Sequence, residues 1–306
     1  MKLEGIHHVT CITADAPGNV EFYAGLLGLR LVKKTVNQDD PTVYHLFYAD
    51  DRGSAGADIT FFEYPGVPVG RAGDGMVHTV VFRVRSEEAL DFWEARLAAA
   101  GMGAERERGR VRFADPEQLS LELAVVETED DPLVASHPEI PTEYAIQGFD
   151  GVRAYNSRPE ASRGFLETLE FDRLGDDVWE ARGEQRGGWY AYDAPPPEPA
   201  RRGAGTVHHV AWASPMEEHE QWRRQVQEAG GSPTPVIDRF YFRSIYFREP
   251  CGVLFEIATL GPGFTADEPP ETLGEALSLP PDYEHLRDRL EEVLTPLPDP
   301  RGALRG

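Results

Sequence analysis

Gly5-Ile6-His7-His8-Val9-Thr10 and Gly205-Thr206-Val207-His208-His209-Val210-Ala211 decide how this chain is read. Each is a glycine followed by a short, mostly apolar run that carries a His-His pair. A third run, Gly252-Val253-Leu254-Phe255-Glu256-Ile257-Ala258-Thr259, places a carboxylate inside a strand that is otherwise apolar. Burying a carboxylate there without a partner is costly. Two imidazoles and one carboxylate from separate strands are the ligand set of a non-haem Fe(II) facial triad, which leaves coordination positions open. Successive side chains in a strand point to opposite faces, so only one member of each pair can enter a common site. Alternation alone permits either phase, His8 with His209 or His7 with His208.

Internal repetition sets the architecture. Four segments repeat one order: a short apolar strand, a helix, then further strands. The first strands read GIHHVTCIT, MVHTVVFRV, GFDGVRAYN and GTVHHVAWAS. The helices follow with apolar spacing at Val20/Tyr23/Leu27, Leu90/Trp93/Leu97, Phe165/Leu166/Leu169 and Trp222/Val226. Asp15, Ser86, Ser157 and Ser214 stand near their starts, and Pro215 with Glu217 suggests a capping box in the fourth. Each unit is a βαβββ module. The expected fold is α+β: four βαβββ modules paired into two open-barrel domains, with a short C-terminal helical tail. The boundaries predicted are 1–128, a proline-bearing acidic linker at 129–144, 145–261, and a tail at 262–306. Within that tail Tyr283–Leu294 reads as a helix and Arg301–Gly306 as a frayed end.

This pattern resembles the vicinal oxygen chelate superfamily (glyoxalases, bleomycin-resistance proteins, extradiol dioxygenases) over residues 1–261. Within it the chain is most similar to the hydroquinone ring-cleaving dioxygenases. The motifs that carry the narrower match are HHVT at 7–10, HHVAW at 208–212, DRFYFRSIYFREP at 238–250, the Glu256 strand and the tail LGEALSLPPDYEHLRDRLEEVL. The resemblance implies that His8, His209 and Glu256 bind Fe(II), with Mn(II) as the alternative metal. It also implies catalytic roles for His208, His7, Arg239, Tyr246 and Thr10. His208 and then His7 would serve as acid–base groups, while Arg239 and Tyr246 would stabilise anionic oxygen. A small aromatic substrate and O₂ are the implied partners, and the implied reaction is extradiol-type ring cleavage of a substituted hydroquinone. Module three lacks a histidine at the position where the catechol-cleaving branch places one, and module two carries only His78. Glu63 is a candidate fourth ligand of the glyoxalase I kind. Aligning Gly56 with Gly252 instead sets Thr60 opposite Glu256, and this alignment is favoured.

Two other readings share the fold. A glyoxalase-type lyase or isomerase needs a more saturated metal site. A non-catalytic small-molecule-binding resistance protein needs no metal donors, and the intact His pairs with Glu256 weigh against it. His45, His78, His137, His219 and His285 stand alone and read as core or solvated residues.

Composition bounds the rest. The formal net charge is −23, from 53 acidic and 30 basic residues. It disfavours nucleic acid and anionic membranes as partners. Lys2, Lys33 and Lys34 are the only lysines, and this acidic, lysine-poor surface predicts a halophilic protein. No secretory signal or membrane span is evident, and Cys11 and Cys251 read as structural thiols, so a cytoplasmic location is expected. A homo-oligomer is compatible with the sequence.

Overall fold

Residues 1–299 are described by a computed structural model; the fraying expected of Arg301–Gly306 lies outside them. Module one contributes β1 (Ile6–Thr13), α1 (Ala16–Val20), β2 (Arg30–Asn37), β3 (Asp40–Ala49) and β4 (Asp58–Glu63). Module two contributes β5 (Met76–Val84), α2 (Glu87–Ala99), β6 (Ala104–Glu107), β7 (Arg110–Ala114) and β8 (Ser120–Val125). Module three follows with β9 (Phe149–Tyr155), α3 (Arg163–Thr168), β10 (Asp172–Arg173), β11 (Val178–Arg182) and β12 (Gly187–Asp193). Module four is β13 (Val207–Ser214), α4 (His219–Glu228), β14 (Ile237–Asp238), β15 (Phe242–Arg248) and β16 (Leu254–Pro262), and the tail ends in α5 (Arg287–Val293). None of the described helices is long and apolar enough to cross a membrane.

The repeat is therefore βαβββ four times, but the modules do not pair in chain order. One eight-stranded sheet runs β14-β15-β16-β13-β1-β4-β3-β2, joining modules four and one. The other runs β10-β11-β12-β9-β5-β8-β7-β6, joining modules three and two. Residues 1–128 thus belong to both sheets, as do residues 145–261, and the 129–144 boundary does not separate them. The physical reason is edge satisfaction: the first strand of each module offers one side to its own fourth strand and the other to a partner module. For β1 that partner is β13, held antiparallel with Thr10 opposite His209 and His8 opposite Ala211. Gly5 and Gly205 lead into this seam with φ of +72° and +74°, conformations open to glycine at little cost. A Cβ at Gly205 would stand 1.9 Å from the Glu117 carbonyl oxygen.

Alternation divides each strand between two faces. Val9, Cys11, Ile59, Phe61, Val80, Phe82, Val152, Val210 and Phe255 join Trp93 of α2 and Trp222 of α4 in one buried apolar cluster. Ser86 caps α2 by accepting from the Ala89 N–H at 3.3 Å. The capping box expected at Ser214–Glu217 does not form. Ser214 ends β13, Met216–Glu218 is a 3₁₀ turn, and α4 starts at His219 with no side-chain cap. Ser157 likewise precedes a 3₁₀ turn, and α1 runs on as a π-helical turn over Glu21–Leu26.

The opposite face of the β1/β13 sheet is concave, and its edges meet. Arg239, just after β14, bonds Asp39 in the β2–β3 turn at 2.9 and 3.1 Å, and the Gln38 amide donates to the Arg239 carbonyl. These groups lie at the two ends of the strand order, so their contact closes the sheet into an open barrel. The tail covers part of this face through Phe264 and Leu273, which pack with Val32, Phe47, Tyr241 and Phe242. It is pinned by Lys33, whose buried ammonium donates to Asp267 at 2.7 Å and to Glu268. The 129–144 segment is anchored too: Asp130 accepts from Arg83 and Arg182, and the Tyr144 carbonyl accepts from Trp93.

Candidate metal centre

Strand register assembles the site. Across β4, β1, β13, β16 and β15, one row on the sheet reads Asp58, His8, Ala211, Glu256, Tyr246. The adjacent row reads Phe47, Thr60, Thr10, His209. Ala211 stands between His8 and Glu256, and its methyl leaves open the volume that a leucine or valine would fill. The sequence-predicted His8, His209 and Glu256 come together there, all buried, with one donor atom of each within 4.8 Å of the others. Among the described residues this is the one such cluster.

The spacing fits a cation. His8 Nε2 and His209 Nε2 are 3.2 Å apart, and Glu256 Oε2 lies 3.2 Å from the first and 2.8 Å from the second. Two cis donors on an octahedron with bonds of about 2.1 Å lie about 3.0 Å apart, so the three atoms match one octahedral face. Both Glu256 oxygens are fully buried without a hydrogen-bond partner despite these close approaches. An orphaned buried carboxylate is expensive; a shared cation resolves it. Burial alone would raise the Glu256 pKa, but the two imidazoles outweigh it and hold it well below the usual carboxylate range.

The other histidine of each pair supports its neighbour from behind. His7 Nε2 meets the Thr259 carbonyl at 3.1 Å. A carbonyl only accepts, so the His7 proton sits on Nε2 and its Nδ1 must accept from His8 Nδ1–H at 2.9 Å. That fixes His8 as the tautomer with a free Nε2 lone pair. His208 Nδ1 makes the same contact to His209 Nδ1 at 2.8 Å. This is the arrangement by which metal-binding imidazoles are oriented. Burial first, then the adjacent imidazole, pushes His7 and His208 down to about 3 each.

A cavity opens over the cluster, lined by His8, His209, His45, Phe62, Arg239 and Tyr246 among others. The expected Arg239 and Tyr246 are both on it, joined by a 3.3 Å bond from Arg239 Nε to the Tyr246 hydroxyl. Burial, then Glu256, raises the Tyr246 pKa. Phe240 takes φ of 70°, a strained value for a bulky residue, beside Arg239. His7 and His208 do not line this cavity. Both are turned to their neighbours His8 and His209 through Nδ1. Thr10 is also one step removed, bonded to Thr60 at 2.8 Å.

Thr60, not Glu63, occupies the position equivalent to Glu256: Thr10 pairs with Thr60 on β4 as Ala211 pairs with Glu256 on β16. Glu63 lies further along β4 and accepts from the Ala16 N–H at 3.2 Å, outside the cluster. Sequence reasoning missed two residues. His45 reaches the cavity from β3, its signal being same-face alternation with Phe47. Asp58 ends the row beside His8 with neither oxygen hydrogen-bonded, and burial followed by Asp50 holds its carboxyl well above the usual range.

Comparison with known proteins bears on the fold and the family. The chain is 40% identical over 304 residues to "Putative ring-cleaving dioxygenase MhqO" of Bacillus subtilis (strain 168), covering 96% of this chain and 97% of that one. It is 29% identical over 328 residues to "Chlorohydroquinone/hydroquinone 1,2-dioxygenase" of Sphingobium indicum, covering 98% and 97%. The crystal structure of a "putative dioxygenase" from Bacillus subtilis subsp. subtilis str. 168 superposes with a TM-score of 0.90 at 40% identity, over 97% of this chain and 98% of that one. Glyoxalase I from Zea mays shares the fold, with a TM-score of 0.55 at 12% identity over 86% and 93%. The family profile matches residues 5–123 and 148–257, and the chain belongs to the Glyoxalase/Bleomycin resistance protein/Dioxygenase superfamily.

Proposed function

We propose that this protein is an Fe(II)-dependent, extradiol-type ring-cleaving dioxygenase that inserts both atoms of O₂ into a substituted hydroquinone. The observation that carries the reading is a three-donor cluster of octahedral-face geometry, open on the side of an aromatic-walled cavity. The names of the relatives point the same way. His8, His209 and Glu256 would hold the metal, with Mn(II) as the alternative occupant. When bound, the metal supplies a Lewis acid and a template that brings the ring and oxygen together.

The chain's own residues then do the rest. Tyr246 donates a hydrogen bond to the substrate oxygen nearest the cluster. Arg239 places fixed positive charge beside Tyr246 and, through Asp39, shuts the barrel edge over the ring. His7 and His208 hold the rings of His8 and His209 in the ligating tautomer. Phe62 and Phe242 wall the cavity and restrict water. The substrate on this reading is a small aromatic molecule, and a cytoplasmic location is proposed with it.

Oxygen uptake by anaerobically Fe(II)-loaded protein tests the reading on a panel of substituted hydroquinones and catechols. One O₂ consumed per hydroquinone, with a ring-opened product retaining both oxygen atoms from ¹⁸O₂, is expected. Uptake with catechols alone would contradict it.

A further inference from the structure

His45 has a structural context that its isolated position in the sequence conceals. Its ring lies between those of Phe47 and Phe62, with centroids 3.9 and 4.3 Å away. Nε2 is 2.9 Å from Thr60 Oγ1, and Thr60 Oγ1 is 2.8 Å from Thr10 Oγ1. Both threonines are fully buried. Thr10 Oγ1 has no other side-chain hydrogen bond among the described residues, so the chain of three groups ends there. A dead end cannot conduct protons to solvent, but it can fix a tautomer.

The direction of the chain follows from satisfying every donor. If His45 Nε2 donated to Thr60 and Thr60 to Thr10, the Thr10 hydroxyl hydrogen would be buried with no acceptor. If Thr10 donates to Thr60 and Thr60 to His45 Nε2, both hydroxyl hydrogens are used. The imidazole proton then sits on Nδ1. His45 lines the same cavity as His8 and His209, from β3, two strands from β1 in the sheet. Tyr246 reaches that cavity from β15 and Arg239 from just after β14, both on the other side of the β1/β13 seam.

On the functional reading given above, a ring oxygen held at the cluster beside Tyr246 leaves the rest of the ring to extend across the cavity. We propose that His45 is a substrate-contacting residue whose Nδ1–H, fixed by Thr60 and Thr10, donates a hydrogen bond to the ring oxygen remote from the cluster. It thereby selects aromatics with two oxygens on opposite sides of the ring. A catechol, whose oxygens are adjacent, leaves this donor unmatched, and an unmatched polar group in a binding site penalises the wrong ligand.

The test is anaerobic equilibrium binding of hydroquinone and of phenol, which lacks the second oxygen, to the metal-loaded protein. His45→Phe keeps the aromatic stack and removes the donor. His45→Asn keeps a donor near the Nδ1 position, and Thr60→Val breaks the tautomer lock from behind. Expected are a roughly tenfold loss of hydroquinone affinity in His45→Phe with phenol affinity unchanged, and recovery of most of it in His45→Asn. ¹⁵N-histidine NMR of the metal-free protein should show the Nδ1–H tautomer at His45 and its loss in Thr60→Val. Equal changes for both ligands, or none for either, would overturn the assignment while leaving the dioxygenase reading intact. An Nε2–H tautomer in the unaltered protein would overturn it as well. Wild-type protein that binds no hydroquinone and takes up no oxygen with any would refute both together.

Discussion

The last strand of each module carries a telling residue at its third position: Thr60, Glu122, Trp189 and Glu256. Glu122 and Glu256 are both fully buried glutamates, one in each sheet, yet they have opposite fates. Glu122 accepts from Arg110 at 2.9 Å and from Arg112 at 2.6 Å. Glu256 faces two imidazoles and has no hydrogen bond. The pattern extends over the second sheet, where Arg83 pairs with Asp130 and Asp150, and Arg153 with Asp193. A guanidinium fills a carboxylate's lone pairs in two dimensions and leaves no vacancy for a cation. Imidazoles that turn lone pairs toward the carboxylate create one. Duplication thus supplied two similar frameworks, and the kind of partner residue decides which one leaves its carboxylate open to a cation. In module three, Trp189 removes the carboxylate altogether and lies across Gly151, where a Cβ would come within 2.1 Å of its ring.

Exchanging the two glutamates breaks the comparison most sharply. Glu256→Gln should reduce oxygen uptake to the level of metal-free protein. Glu122→Gln should leave turnover intact and lower the melting temperature. If both variants kept full turnover, the contrast between the sheets would have no functional content.

The second-largest effect belongs to the arginine-rich sheet. Burial works to raise the Asp130 pKa, but Arg182, Arg83 and the Gly187 N–H outweigh it and hold it well below the usual range. A folded-state pKa below the unfolded one stabilises above the unfolded value, about pH 4, and that stability is lost as the pH falls toward the folded pKa. Asp130→Asn should therefore cost about 3 kcal/mol at neutral pH in urea unfolding, since it removes a charged partner of the buried Arg83. The curves of wild type and variant should converge between about pH 4 and 2. A constant gap would separate the loss from ionisation. Metal content should not change.

A smaller effect sharpens the metal side. His208→Ala removes the support behind His209, and Fe(II) affinity should fall about 10–100-fold without abolishing binding. An unchanged affinity with lost turnover would return His208 to the acid–base role that its sequence context suggests. Smallest is the effect of salt. Screening shrinks from about 10 Å at 0.1 M to about 3 Å at 1 M, and the excess of acidic groups should repel less. The melting temperature should rise from low to multimolar KCl; a flat or falling curve would refute the halophilic reading.

The sequence displayed the modules because strand alternation and helical spacing are local. It also displayed the triad, since two His-His runs and one acidic apolar strand are conspicuous. Pairing of modules was less legible. β1 meets β13 across most of the chain, and nothing local in either strand names its partner. His45 carried only a weak signal for a related reason: in VYHLFY it is one polar residue among mostly apolar ones. Only the neighbouring strand, which brings Thr60 beside it, gives it a role. The contacts of His7 and His208 were not legible either, because a sequence shows that a residue is adjacent to a candidate ligand, not which nitrogen faces it.

Metal stoichiometry tests the central claim most directly. Metal-free protein should be titrated anaerobically with Fe(II), in parallel with His8→Ala, His209→Ala, Glu256→Gln and Glu122→Gln. One equivalent in wild type and Glu122→Gln, with high-affinity binding lost in the other three, is the predicted result. A full equivalent retained by His8→Ala, His209→Ala and Glu256→Gln would contradict it.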